Sequence, residues 1–270
     1  YMKYSVVEQF SALVRKSHRI LLVVPEDASI DAWSGLLGAR LMLGQMDKEV
    51  VAVSTYPIPK NLQFLEMNDV VVNKLINDGD FVISINTQQT EVERVKYTLE
   101  ESSVDILVTP KDGQFSEKDV KFRQSVGEFD CIIGFDVPTV EALGSIFSDN
   151  TELFDSVPTV NISTNPAYDT FGKTQMVFPE KSSICEIVHD ALWASGARSV
   201  ADPIASVLLT GIISATNSFM DQKTTSSGME LASLLQEQGA QQSDIIEHLF
   251  KHKSLVTLKI WGVILRKMHM

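Results

Sequence analysis

Two carboxylates, Asp31 and Asp136, stand just beyond short apolar runs, where an acidic side chain can do chemistry. A carboxylate offers two oxygens to a divalent cation, to a ligand hydroxyl or to a helix N-terminus. Asp31 reads either as a cation ligand or as a first-turn carboxylate suited to its helix dipole. Asp136 reads either as a group for a cation or ligand hydroxyl, or as the cap of the helix after it. Ser163, Thr164 and Asn165 terminate a strand read over Val157–Ile162. They form either a polar ligand pocket or a set of hydroxyls and amides that satisfies the backbone where a strand stops. Glu26, Asp27 and Asp169 lie near these positions and could rebuild a shifted cation site. His18, His189, His248, His252 and His269 match no metal spacing and are read as surface residues. Cys131 and Cys185 form no motif; Cys131, inside an apolar run, is read as a buried thiol.

These residues need elements to position them. Ile20 to Val24 is a continuous apolar run, as in a strand buried on both faces, and Pro25 ends it. Ser29 is placed to cap a helix in which Leu36, Leu37, Leu41 and Met42 recur at helical spacing and Gly44 closes the end. In a parallel sheet this strand-to-helix loop lies at the carboxyl edge, where ligands bind. Before it, Val6, Val7, Phe10, Leu13 and Val14 make one face of an opening helix. After it come a strand at Val50–Val53, a loop and short helix over 57–67, and an apolar run at Val70–Ile76 that fits either a helix or a strand. Phe81–Ile85 is a strand bounded by Asn77-Asp-Gly-Asp80. A different pattern starts near Glu93. Val95, Tyr97 and Leu99, then Val104, Ile106 and Val108, alternate with more polar residues around Glu100–Ser103, so this stretch reads as a hairpin with one wet face. A third strand follows near Val120 and Phe122.

The core resumes at Asp130–Asp136, followed by a helix at Val140–Phe147 and a strand at Val157–Ile162. Ser183-Ile-Cys-Glu186 is a capping box that opens a helix to about Ser195. Asp202-Pro203 opens the next helix with proline at its first position, and Ile204, Val207, Leu208 and Ile212 mark its apolar face. Helices over 226–238 and 244–251 follow, the first ending at Gly239. A final helix from Ser254 carries Leu255, Leu258, Trp261 and Leu265 on one face and Lys259, Arg266 and Lys267 near its end. The expectation is an α/β fold: a mainly parallel sheet flanked by helices, with an antiparallel hairpin insertion and a C-terminal helical part. Residues 1–252 make the α/β domain and 253–270 a linking helix.

At 270 residues with 44% hydrophobic content, the chain can bury a sizeable core. A net charge of −12 gives no long-range attraction for nucleic acid, which argues against a general coating role. No apolar stretch reaches the roughly 18 residues of a membrane span, and no signal peptide is read. With no disulfide framework, a cytoplasmic location is expected.

Taken in order, these segments resemble the DHH phosphoesterase family of nanoRNases, exopolyphosphatase-like proteins and cyclic-dinucleotide phosphodiesterases. Residues 20–44 resemble the first motif, a His, three residues, then Asp-x-Asp before a helix. Cys131–Asp136 resembles the second, a strand ending in Asp. Val160-Asn-Ile-Ser-Thr-Asn165, followed by Phe171-Gly172, resembles the strand that carries the Asp-His-His signature. Leu208–Phe219 resembles the fourth motif, which normally reads Gly-Ile-x-x-Asp-Thr-x-x-Phe. Thr224-Thr225, Leu231–Leu235 and Gln238–Ala240 match the helices behind it.

In that family these motifs hold two divalent metals, commonly manganese. This chain departs from the pattern at several ligand positions. Pro25 stands at the His, Ser29 at the first Asp, and Ser163, Thr164 and Asn165 at Asp-His-His; Ala215 replaces the fourth-motif Asp. Asp31 and Asp136 remain. A two-metal site needs cations about 3.5–4 Å apart, held by charged and imidazole ligands, and two carboxylates are a thin set for that. The family's second domain, with its glycine-rich substrate motif, is not in this sequence, and the last helix resembles the linker to it. The resemblance therefore implies a phosphoesterase-like domain that has lost its metal pair, needs no cofactor, and serves ligand binding, regulation or assembly. The alternative is an active phosphoesterase on short oligonucleotides or small phosphate esters, with manganese or magnesium in a rearranged site. Partners in view are a nucleotide or phosphate-ester ligand, the missing domain, or a second copy of the chain; no membrane is among them.

Overall fold

The computed structural model describes residues 2–75, 81–88, 90–100, 102–124, 128–168 and 171–251. The turn expected at Asn77–Asp80, Asp169, His252, His269 and the helix expected from Ser254 lie outside them. The chain divides into two compact units, one of residues 1–75 and 129–270, the other of residues 76–128.

The larger unit is built on six parallel strands. In chain order the elements are α1 (Met2–Lys16), β1 (Arg19–Val23), α2 (Ile30–Gly44), β2 (Glu49–Val53) and β3 (Val71–Val72), then, after β4 (Phe81–Ile85), β5 (Val92–Leu99), β6 (Val104–Pro110) and β7 (Val120–Gln124) of the smaller unit, β8 (Cys131–Phe135). α3 (Ser145–Ser148), α4 (Thr151–Ser156), β9 (Thr159–Ser163), β10 (Thr174–Val177), α5 (Ile184–Ser195), α6 (Ile204–Ala215), α7 (Ser226–Glu237) and α8 (Gln242–Ile246) follow. The strand order is β10-β9-β8-β1-β2-β3, with every pair parallel. The order reverses between β1 and β8. A crevice opens outside the carboxyl ends of two such strands, and in parallel sheets ligands bind there.

β1, β8 and β9 are almost wholly buried; β1 from Ile20 and β8 accordingly run apolar without alternation, whereas β9 alternates Val160 and Ile162 with the buried polar Thr159, Asn161 and Ser163. α2 is buried on nearly all sides rather than along one stripe, from Asp31 to Ala39 and again at Met42 and Leu43. It packs against α5 and α6 as well as the sheet. Close approach is needed there: a Cβ on Gly38 would stand 2.6 Å from Leu208 Cδ2. Gly44 is the last helical residue, and Gln45 is the C-cap.

Several local expectations are corrected. The helix expected over Val140–Phe147 is broken by Gly144 at φ +57° into a 3-10 turn, Val140–Leu143, and α3. α4 and β10 were not expected, because each is too short to show a period. Pro203 is the N-cap of α6, one place outside the helix. At α5, Ser183 caps by accepting the Cys185 N–H, but Glu186 takes the Ser182 N–H at 3.0 Å instead of that of Ser183. Glu186 is buried and also accepts from Lys181 Nζ at 2.7 Å and Ser227 Oγ at 2.6 Å. A charge out of water needs partners, and these outbid the local cap.

The smaller unit holds two separate antiparallel pairs. β4 (Phe81–Ile85) pairs with β7 (Val120–Gln124), and β5 (Val92–Leu99) pairs with β6 (Val104–Pro110). The hairpin is as expected, except that its apolar face is exposed together with its polar one. The antiparallel excursion nevertheless begins before Glu93, because Phe81–Ile85 pairs with the third strand and not with the parallel sheet.

Candidate functional site

The register of the central strands places three of the singled-out positions side by side. Val23 pairs with Gly134, and Phe135 pairs with Ile162. Two residues past the first pair and one past the second, Pro25, Asp136 and Ser163 stand level across three neighbouring strand ends. Asp136 adopts φ +56°, a left-handed conformation uncommon for a side-chain-bearing residue, and its N–H donates to the Ile162 carbonyl at 2.9 Å. Its Oδ1 accepts the Ser163 hydroxyl at 2.5 Å, while Ser163 Oγ accepts the Asn165 N–H at 2.9 Å. Asn165 Oδ1 accepts the Ala167 N–H at 3.1 Å, closing a turn. Ser163 and Asn165 thus satisfy the chain end of β9, and Ser163 also holds Asp136. Thr164 is half-buried beside them.

Burial pushes the Asp136 carboxyl above the usual range; the Ser163 hydroxyl opposes this, the charge of Asp27 adds to it, and Lys223 pulls the other way. Asp27 and Lys223 thus lie within electrostatic reach of Asp136. Lys223 escaped sequence reasoning because it sits in the irregular stretch after α6, far along the chain. Glu26 is exposed; its N–H donates to Ala142 O at 3.1 Å, which ties the end of β1 to the turn after β8. Beneath the edge, buried Asn161 donates to the carbonyls of Val137 at 2.9 Å and Tyr168 at 2.8 Å and fixes both flanking loops.

Asp31 faces elsewhere. Its Oδ1 accepts from Ser183 Oγ at 2.6 Å and from the Cys185 N–H at 3.3 Å, and its Oδ2 accepts the Ile184 N–H at 2.7 Å. Both oxygens serve the N-terminus of α5, where unpaired N–H groups and the helix dipole favour a negative charge. The first-turn carboxylate of α2 therefore caps a different helix. Burial raises its pKa to about 6 against the lowering effect of the Ser183, Ile184 and Cys185 hydrogen bonds. The same burial raises the Cys185 thiol well above its usual range. A side chain on Gly211 of α6 would strike Cys185 Sγ and come within 2.9 Å of Asp31 Oδ1. The sequence names Ser183 as a cap, yet nothing local links it to Asp31, 152 residues away.

The remaining positions are placed as follows. Ser29 is exposed and caps α2 by accepting the Ala32 N–H at 3.1 Å. Pro25 is buried, and Ala215 is the last residue of α6. Cys131 is buried, and its thiol pKa is pushed up to about 12 by burial and by Asp130. His18 is exposed. His189 and His248 are half-buried, stacked on Trp193 and Phe64. Among the described residues, no three His, Cys, Asp or Glu side chains converge as a metal-binding group. Nor is any helix there long and apolar enough to cross a membrane.

No family model and no curated protein matches the chain. Solved structures do. One is an exopolyphosphatase-related protein from Bacteroides fragilis, 18% identical, with a TM-score of 0.70 over 97% of this chain. This chain spans 65% of that protein's length. At this identity the likeness shows a shared fold.

Proposed function

We propose that this chain is a phosphoesterase-like domain of the DHH type that has lost its two-metal site and acts in ligand binding, regulation or assembly. The fold shared with an exopolyphosphatase-related protein supports the ancestry. One observation carries the loss: both oxygens of Asp31 are taken by the N-terminus of α5. Turning this carboxylate to a cation would strip three donors of their acceptor in a buried setting, at a cost of a few kcal/mol.

The donor set agrees. Pro25 and Ala215 offer no side-chain ligand, and the Ser163 hydroxyl is committed to Asp136. Two metal ions need several carboxylates and imidazoles around them. These residues do not fit such a pair. What remains at this edge is Asp136 with Asp27 and Lys223 in electrostatic reach, a mixed-charge set suited to hydroxyl and phosphate groups of a nucleotide-like ligand.

Calorimetric titration with manganese tests this reading, using the wild type and Asp136→Asn. We expect no binding, or one weak site that Asp136→Asn removes. Tight uptake of two ions per chain would overturn the reading and restore the alternative of an active metal-dependent phosphoesterase.

A further inference from the structure

The β5–β6 hairpin presents an apolar face to solvent. Val95 pairs with Val108, Tyr97 with Ile106 and Leu99 with Val104, so the six side chains share one face. Val95 is 60% exposed, Tyr97 71%, Leu99 70%, Val104 59% and Ile106 47%. Arg94, Lys96, Thr98, Asp105 and Thr109 lie on the other face with Leu107. Among the residues of 76–128 whose exposure is described, no side chain is buried. A two-stranded ribbon without a covered face is marginal in water and needs a further layer to be stable.

We propose that this face is an interface between two copies of the chain, packed face to face about a two-fold axis. Three observations favour a second copy. The face is self-matching, since its three cross-strand pairs give each ribbon an apolar strip of equal length and twist, as an isologous contact requires. It carries no charge, so two chains of net charge −12 can meet there without opposing like charges. Its area also suits: the five exposures above, on residue areas of about 150–250 Å2, give roughly 600 Å2 per copy. Two copies would bury about 1,200 Å2, the lower bound of specific interfaces, so the expected dimer is a moderate one. This inference is independent of the reading of the β1–β8 crevice.

Sedimentation equilibrium on the full chain, from about 1 to 300 μM, tests it. The mass should rise from monomer towards dimer, and more steeply at high salt, which screens the like net charges. Tyr97→Glu or Ile106→Glu should each weaken the dimer about 100-fold by setting carboxylates against each other. An equimolar mixture of Tyr97→Glu and Tyr97→Lys should recover it. Independently of any variant, amide exchange over residues 92–110 in the wild type should slow as concentration rises. A monomer throughout the range overturns the proposal. So does a dimer insensitive to both substitutions, a mixture that fails to recover association, or exchange over 92–110 that ignores concentration.

Discussion

Asp31 Oδ2 accepts the backbone N–H of Ile184 at 2.7 Å across 153 residues of sequence. A carboxylate from the first turn of α2 thereby completes the first turn of α5. The pair pins the two helices together beneath the carboxyl edge of the sheet and fixes where neither oxygen of Asp31 can go.

Removing that carboxylate should be costly. Asp31→Ala leaves the Ser183 hydroxyl and the Ile184 and Cys185 N–H groups without their acceptor, for an expected loss of about 2–4 kcal/mol. Asp31→Asn keeps one acceptor oxygen and should lose less. Urea unfolding of the three proteins at neutral pH measures the order, and equal stability of Asp31→Ala and wild type would refute the capping role.

The same group makes stability depend on pH. Its folded pKa, about 6, lies above its ordinary value of 3.8, so the folded state holds the proton more tightly. Its contribution is therefore most favourable below pH 4 and falls as pH rises to about 6, beyond which it is constant. The full span is about 3 kcal/mol. The stability of wild type relative to Asp31→Asn should decline between pH 4 and 6.5; a difference that grows with pH would reverse the sign of the argument.

Gly211 should tolerate no side chain. A methyl group there meets Cys185 Sγ, Asp31 Oδ1 and Ser34 Cβ at once, in a region where α2, α5 and α6 are all buried. Gly211→Ala is expected to cost about 2–3 kcal/mol despite alanine's better helix propensity. A melting temperature at or above wild type would show that the helices can part to admit it.

Asp136 should respond to its hydroxyl partner. Ser163→Ala removes the hydrogen bond that holds the Asp136 pKa down against burial and Asp27, so that pKa should rise further. Carboxyl-carbon NMR titration reads it directly. Lys223→Ala should move it in the same direction, because that cation also lowers it.

Glu186 differs from Asp31 in pairing with a cation, Lys181. Its carboxylate is buried among Lys181, Ser182 and Ser227. Glu186→Ala leaves Lys181 with only Asp190 and should cost about 3 kcal/mol or more. Double-mutant cycles with Lys181→Met would measure how much of that is the ion pair.

The sequence by itself determined the elements whose signal is local. β1 and β8 announce themselves as unbroken apolar runs, and Ser29, Ser183 and Gly239 mark helix ends through short-range backbone chemistry. It also determined which residues stand at the carboxyl edge, since a parallel sheet puts every strand-to-helix loop there. Only the tertiary structure decided what those residues touch. Asp31 looks from sequence like a group of α2 or of a metal site, and it belongs to α5 because helix packing brings an uncapped N-terminus to it. Pro25, Asp136 and Ser163 share a level because β1, β8 and β9 are neighbours, an adjacency no local period encodes. The hairpin pattern was plain in alternation, yet alternation says only that one face is apolar. Whether that face is covered depends on what packs over it, a long-range property, and here it stands open.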